Sequence, residues 1–226
     1  MKYTAAKIKM WAKMGQRGAF FGVAMPEIAA RTERLKLLTA DLALLSGMER
    51  FVKKYPEIPV CVKVANSQEI ERKLLLNELD FGFMDAPTQP EAFISHKIRE
   101  DAVRIVCAKE YPIEAKVTFE QFKRHPLLVR ETGSGSRQIL EQWFAMEGER
   151  PNIVMESSDV HSLKEICRCG FGLLILTESM TEGWAEENEF RTVEVAGNHG
   201  KRSCCLVYHK SKYLTRSMRY FKEYTL

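Results

Sequence analysis

Short apolar runs alternate with helical stretches between Leu35 and Met84, and this alternation limits the folds that the chain can adopt. The runs at Leu35–Leu38, Val60–Ala65 and Leu79–Met84 have the length of buried strands. The stretches between them carry apolar residues at helical spacing. Because a strand–helix–strand order indicates parallel pairing with helices on the faces of the sheet, the sequence predicts an α/β fold.

Small and polar residues follow each of these predicted strands. Thr39 and Ala40 follow the first strand, Asn66 and Ser67 the second, and Asp85 the third. In parallel α/β sheets, ligands bind outside the carboxyl ends of the strands. We therefore expect these residues to form one side of a cleft, although each of them alone is also compatible with an ordinary helix cap or turn.

The stretch from Leu127 to Phe144 (LLVRETGSGSRQILEQWF) joins an apolar strand, a loop of glycines and hydroxyls, and the start of a helix. The candidate ligand-binding residues of this loop are Thr132, Gly133, Ser134, Gly135 and Ser136. We expect Ser134 or Ser136 to cap the helix through its side-chain oxygen. The free N–H groups and the dipole at a helix start favour an anion. The alternative is a tight turn without a ligand, because the loop matches neither the dinucleotide nor the phosphate-loop pattern.

A second set of strands and helices follows in the rest of the chain. Its predicted strands are Ala102–Ala108, Leu127–Val129, Ile153–Glu156, Phe171–Thr177, Thr192–Val195 and Cys204–Tyr208. Ser157 and Ser158 follow one of these strands and are further candidate ligand-binding residues. Two sets of elements with two crossings between them are typical of a binding protein with a cleft between lobes. We predict an N-terminal arm or linker remnant at 1–34, a first lobe at 35–108 plus 210–226, and a second lobe at 109–209.

Composition excludes several classes of protein. The 226 residues are 45% hydrophobic, which is enough for a large core, and the net charge of +4 is too diffuse to indicate nucleic-acid binding. The six cysteines have neither zinc-site nor disulfide-framework spacing, so we expect a reducing compartment. No run of about 18 apolar residues and no signal peptide is recognised. These features predict a cytoplasmic protein that does not insert into membranes.

No arrangement of residues indicates catalysis. The five histidines are scattered, and His, Asp and Glu show no metal-ligand spacing. Ser134 and Ser136 do not lie in a nucleophile elbow. We therefore expect a protein without catalytic residues, metal or cofactor, which is not an enzyme.

Five segments, in order along the chain, match the pattern of a known family. They are Phe51–Pro56 (FVKKYP), Leu79–Phe83 (LDFGF), Leu128–Arg137 (LVRETGSGSR), Glu156–Ser158 (ESS) and Cys169–Leu176 (CGFGLLIL). Together they resemble the effector-binding domain of LysR-type transcriptional regulators. The resemblance covers roughly Leu35 to Phe221, and the loop motif GSGSR is most similar to the branch with carbon-fixation and sulfur-assimilation regulators.

The resemblance implies a periplasmic-binding-protein-like (type 2) fold of two α/β lobes joined by a two-strand hinge. It implies a small-molecule effector, often an anion, between the lobes, and a homodimer. The implied effector-binding positions are Thr39, Ala40, Asn66, Ser67, Thr132 to Ser136, Ser157 and Ser158. Family members begin with a winged helix-turn-helix of about sixty residues, whereas residues 1–34 show no recognition-helix pattern. We therefore expect no direct DNA binding by this chain. A solute-binding protein of the same fold and a remnant with an empty cleft are the alternatives.

Overall fold

The computed structural model describes residues 35–39, 48–197 and 200–226. The predicted arm at 1–34 and the candidate residue Ala40 lie outside them. The strands are β1 Leu35–Thr39, β2 Val60–Val64, β3 Phe81–Asp85, β4 Phe93–Ala108, β5 Lys116–Val117, β6 Leu127–Arg130, β7 Ile153–Ser157, β8 Leu173–Thr177, β9 Phe190–Val195 and β10 Lys201–His209. The helices are α1 Met48–Lys54, α2 Ser67–Leu75, α3 Phe119–Phe122, α4 Gly135–Met146, α5 Val160–Arg168 and α6 Arg216–Thr225.

The strands form one mixed sheet with the order β2-β1-β3-β10-β4-β8-β6-β7. At one end, β1 pairs in parallel with β2 and β3, and we call these strands the first sheet half. At the other end, β6 pairs in parallel with β7 and β8, which form the second sheet half. Between them, β10 and β4 pair antiparallel with their neighbours. The predicted alternation of parallel strands and helices is thus confirmed in both halves.

The strand β4 is much longer than the sequence pattern indicates. Charged residues between positions 93 and 101 interrupt the apolar pattern of its first part. The sequence pattern therefore predicts a strand only at Ala102–Ala108. In the structure, β4 pairs with β10 from Phe93 opposite His209 to Ala102 opposite Lys201. Its later part pairs with β8 and β9. The strand β4 therefore lies between the two sheet halves and connects them. Pairing with β10 satisfies the backbone N–H and C=O groups of its first, charged part.

An aromatic cluster covers the first sheet half. Phe221 of α6 is fully buried, and its ring centroid lies 5.1 Å from that of Phe51, 5.4 Å from Phe81 and 6.1 Å from Phe83. Edge-on and tilted ring pairs at these separations are favourable. The closing amphipathic helix predicted from Leu214, Met218 and Phe221 thus packs on strands near the beginning of the chain.

A second aromatic cluster covers the second sheet half. Phe122 of α3 stacks on Trp143 of α4 with a centroid distance of 5.3 Å, and Phe119 contacts both Trp143 and Phe144. Burial of these large side chains anchors α4 on the sheet. The start of α4, which carries the candidate loop, is therefore held by a packed helix.

Polar caps fix where the other helices begin. The side chain of Asn66 accepts a hydrogen bond of 3.0 Å from the backbone N–H of Glu69, and Asp159 caps α5 in the same way. The three-residue spacing of Thr118 and Gln121 in the sequence predicts a capping box at the start of α3, and the structure contains it. These predictions are confirmed. Because Asn66 caps α2, only two residues separate the start of this helix from the end of β2.

Candidate functional site

The carboxyl ends of the first sheet half meet at one edge. Thr39 ends β1 and is fully buried, and its carbonyl oxygen accepts a 3.1 Å hydrogen bond from Ala65 at the end of β2. Asp85 ends β3 beside it and is also buried. Ser67, the first residue of α2, is buried as well. The structure thus brings Thr39 and Ser67 to the predicted edge of the sheet.

The loop from Thr132 to Ser136 leads from β6 into α4. Gly133 has a φ of +91°, a conformation that glycine adopts without strain. Ser134 occupies the N-cap position of α4, but its side chain does not make the expected capping hydrogen bond. Its Oγ lies 3.3 Å from the Oγ of Ser136 instead, and both hydroxyls are buried. The expectation of a serine side-chain cap is therefore wrong, because the two hydroxyls pair with each other.

This loop contacts the start of α2 across the sheet. The backbone N–H of Gln68 donates to the carbonyl oxygen of Gly133 at 3.3 Å, and Nδ2 of Asn66 donates to that of Thr132 at 3.4 Å. A Cβ built on Gly133 would lie 2.7 Å from Oε1 of Gln68, so the approach requires a residue without a side chain. The candidate residues of the two sheet halves are thus close together.

Asp85 lies at the centre of this contact. Its Oδ2 accepts a 2.7 Å hydrogen bond from Oγ of Ser67, and its Oδ1 lies 3.3 Å from a guanidinium nitrogen of Arg202. On its other side is Gly135, the first residue of α4. A Cβ built on Gly135 would lie 1.9 Å from Oδ2 of Asp85, so the carboxylate occupies the space that any larger residue would fill. Asp85 therefore contacts three elements, namely β10, the start of α2 and the start of α4.

Arg202 on β10 is shared between two carboxylates. Its guanidinium also lies 3.2 Å from Oδ2 of Asp101 on β4 and 3.3 Å from Oγ1 of Thr177, and all these side chains are buried. Ser179 donates to Asp101 through its hydroxyl at 2.5 Å and its backbone N–H at 3.2 Å. Burial alone would raise the pKa of Asp101, but the bonds from Ser179 and the charge of Arg202 hold that pKa below its usual value.

Sequence patterns did not reveal this network. The apolar patterns predict strands at Ala102–Ala108 and Cys204–Tyr208, whereas Asp101 and Arg202 lie within β4 and β10, just before those runs. A charged residue next to an apolar strand is usually solvated. The opposite charges of Arg202 and Asp101 could indicate an ion pair. They do so only once β4 and β10 are known to be adjacent strands.

Ser157 and Ser158 lie at the end of β7, beside the base of the loop. Ser157 pairs in register with Arg130, and its Oγ accepts a 3.0 Å hydrogen bond from the backbone N–H of Asp159. Ser158 is exposed. The nearest link between this strand end and the loop is Glu156, which accepts a 3.3 Å hydrogen bond from the backbone N–H of Thr132. Ser157 and Ser158 thus lie beside the loop, at the carboxyl end of β7.

The basic side chains around the loop are paired with acidic ones. Arg130 is buried and its Nε lies 2.8 Å from a carboxylate oxygen of Glu131. Arg137 contacts Glu141 at 2.6 Å and Glu156 at 3.4 Å. This side of the loop is therefore close to electrically balanced, and an added anion would meet acidic groups as well as basic ones.

A shallow cavity elsewhere is lined partly by lysines. Its lining residues are Lys36, Leu37, Cys61, Lys63, Lys73, Glu78 and Leu79. They lie towards the amino ends of β1 and β3. Ligands of parallel sheets bind at the opposite ends of the strands. The edge with Thr39, Ser67 and Asp85 is therefore the better candidate site.

Comparison with known proteins identifies the family. The sequence profile described as LysR substrate binding domain matches residues 38–226. The chain belongs to this family. A relative is the uncharacterized HTH-type transcriptional regulator YeiE of Escherichia coli, which is 27% identical over 176 residues and covers 77% of this chain. The transcriptional activator CmpR of Synechocystis is 25% identical over 210 residues and covers 88% of this chain. The LysR substrate binding domain described here spans 60% of the length of YeiE and 69% of that of CmpR.

Solved structures show the same fold. The regulatory domain of CcmR from Synechocystis, in complex with 2-PG, has a TM-score of 0.77 at 19% identity and covers 85% of this chain and 95% of its own. The effector binding domain of QuiR, in complex with shikimate, has a TM-score of 0.75 at 14% identity and covers 86% and 95%. The predicted periplasmic-binding-protein-like (type 2) fold is confirmed. Among the described residues of this LysR domain, no helix is long and apolar enough to span a bilayer.

Proposed function

We propose that this chain is the non-catalytic effector-binding part of a cytoplasmic LysR-type transcriptional regulator, and that it binds a small anionic metabolite. The bound metabolite lies between a first lobe at 35–108 plus 210–226 and a second lobe at 109–209. The observation that carries the proposal is the contact of Asn66 and Gln68, on either side of the buried Ser67, with the loop from Thr132 to Ser136. Hydroxyls and two helix starts converge there from both sheet halves, and such groups bind anions.

The complexes of similar domains support an anionic ligand. The CcmR domain binds 2-PG and the QuiR domain binds shikimate. Both structures share the fold of this chain, and shikimate is the anion of a small organic acid. The proposal extends this ligand class to the strand ends of the present chain. We further propose that the chain acts as a homodimer, as the family resemblance implies.

Thermal unfolding with a library of small acids tests the proposal. A ligand at about a hundredfold its dissociation constant adds about 2.7 kcal/mol of stability if it binds only the folded state. Amines and uncharged analogues of the same acids are the comparison set. Stabilisation by acids alone supports the proposal. A folded protein that no acid stabilises would contradict it.

A double substitution locates the site. Ser134→Ala with Ser136→Ala removes two buried hydroxyls that pair with each other, so the fold should survive the change. We expect acid binding to weaken about tenfold or more, because the hydroxyls no longer donate to the ligand. Ser95→Ala, an exposed serine on β4 that lies opposite Val207 and away from the loop, is the control. Unchanged affinity in the double variant would remove the loop from the site.

A further inference from the structure

The place that a bound acid would take at the start of α4 is already held by a carboxylate of the chain itself. Oδ2 of Asp85 lies where a Cβ of Gly135 would be, within 1.9 Å. Its partners are the hydroxyl of Ser67 at 2.7 Å and the guanidinium of Arg202 at 3.3 Å. A hydroxyl and a guanidinium are groups that a protein offers to an anion, and the first residue of the twelve-residue helix α4 lies against the same carboxylate.

The pairing with Arg202 alone does not account for this position. Arg202 has a second carboxylate partner in Asp101, and Asp101 also lies 3.7 Å from Arg99. The carboxylates of Asp85 and Asp101 thus share the guanidinium of Arg202, Asp101 has Arg99 as a further neighbour, and Asp85 is the carboxylate that lies against Gly135 of α4. Its contact with Gly135 joins segments that belong to the two proposed lobes.

We infer that Asp85 is a specificity-determining residue that competes with acidic ligands for the start of α4. The inference rests on the proposed function, because it concerns the same cleft. An acid that enters the contact between Ser67 and Gly135 meets a buried carboxylate at close range. Like charges at such a distance repel strongly where water is excluded. Acids therefore bind weakly to the unaltered chain, and only when Asp85 moves away from Gly135.

Asp85→Asn removes the competing charge while keeping the shape. The amide oxygen still accepts from Ser67 or Arg202, and Arg202 keeps Asp101 as its counter-ion. Asp80→Asn is the matched control, since Asp80 directly precedes β3, carries the same charge and pairs with Lys212 at 3.0 Å away from the cleft. Asp85→Gly, which removes the side chain, serves as a second variant if the asparagine variant does not fold.

Calorimetric titration of the full chain with shikimate, its methyl ester, inorganic phosphate and sulfate tests the inference. We expect Asp85→Asn to bind at least one of the three anions about tenfold more tightly or better, and the uncharged ester without such a gain. Equal gains in Asp80→Asn would indicate net charge alone and would overturn the inference, as would unchanged anion affinity in Asp85→Asn.

The outcomes separate the two proposals. If the unaltered chain binds an acid and Ser134→Ala with Ser136→Ala loses it, the proposed function stands even where Asp85→Asn changes nothing. In that case only the role of Asp85 is refuted. If neither the unaltered chain nor Asp85→Asn binds any acid in the library while both are folded, the proposed anionic ligand and the role of Asp85 both fail.

Discussion

The backbone N–H of Gln68 donates to the carbonyl oxygen of Gly133 at 3.3 Å, and this bond joins α2 of the first sheet half to the loop before α4. Gly133 has a φ of +91°, and a Cβ there would lie 2.7 Å from Oε1 and 3.0 Å from Cβ of Gln68. The backbone conformation disfavours a side chain, and a Cβ here would also displace the side chain of Gln68. The closeness of the two candidate segments therefore depends on glycine at this position.

Gly133→Ala should destabilise the protein more than a glycine substitution at a similar φ elsewhere. Gly148 has a φ of +72° and nothing within 4 Å of a built Cβ, so it provides the control. Each alanine costs about 1–2 kcal/mol for the left-handed backbone. Gly133→Ala should cost a further ~1–3 kcal/mol, because it also crowds Gln68. Urea denaturation measures both losses. Equal losses would mean that the loop does not contact α2 in solution.

Local patterns predicted the elements that local chemistry controls. Asn66, Thr118 and Asp159 cap helices as expected, because a cap involves residues three positions apart at most. The apolar strand Leu127–Arg130 and the loop after it were likewise visible in the sequence. The position of Thr39 and Ser67 at the carboxyl ends of neighbouring strands also followed, since it depends only on where parallel strands end.

Sequence patterns did not predict the features that depend on pairing between strands far apart in the chain. The first part of β4 carries charged residues, and its partner β10 follows about a hundred positions later in the chain. Arg202 could be placed beside Asp85 and Asp101 only with both registers known. The pairing of the Ser134 and Ser136 hydroxyls, which replaces a side-chain cap, depends on the shape of one loop. Hydrophobic periodicity carries none of this information.

Arg202→Met should strongly destabilise the protein. The change leaves the buried carboxylates of Asp85 and Asp101 without the guanidinium that they share, and loss of one partner of a buried ion pair costs about 3–5 kcal/mol. Chemical denaturation measures the loss. Arg104→Met is the control, because Arg104 pairs with Glu178 at the surface and such pairs contribute about 0–1 kcal/mol.

Removal of the orphaned charges should restore stability. Arg202→Met combined with Asp85→Asn and Asp101→Asn removes all three buried charges of this network, and the neighbouring guanidinium of Arg99 is partly exposed to solvent. We expect the triple variant to be more stable than Arg202→Met alone by about 1–3 kcal/mol. A triple variant that is less stable than the single one would show that the two carboxylates do not depend on Arg202.

Stability should fall at acidic pH in a way that depends on Asp101. Its pKa is lower in the folded protein than in the unfolded chain, so its stabilising contribution is complete above about pH 4. As the pH falls below that value, the unfolded carboxyl takes up a proton first. The contribution is then lost progressively until the pH has passed the folded pKa.

Comparison with Asp101→Asn measures this contribution. At neutral pH the variant should be less stable by about 1.5–3 kcal/mol, since it weakens charged hydrogen bonds with Arg202 and Ser179. Urea unfolding at a series of pH values should show the two proteins converging below about pH 4. A difference that persists unchanged to the acid limit of folding would refute the assigned role of Asp101.

Thiol reactivity should separate two cysteines that are two positions apart. Cys167 is fully buried on α5, and burial, together with the nearby Cys107, raises the pKa of its thiol to about 12. Cys169 follows the helix and is exposed. Because the thiolate is the reactive species, iodoacetamide at about pH 8 should label Cys169 in the folded protein and leave Cys167 unmodified until unfolding. Peptide mass spectrometry after timed labelling measures both sites. Cys169→Ser should abolish the modification of this segment in the folded protein, whereas rapid labelling of Cys167 would show that α5 opens readily from the sheet.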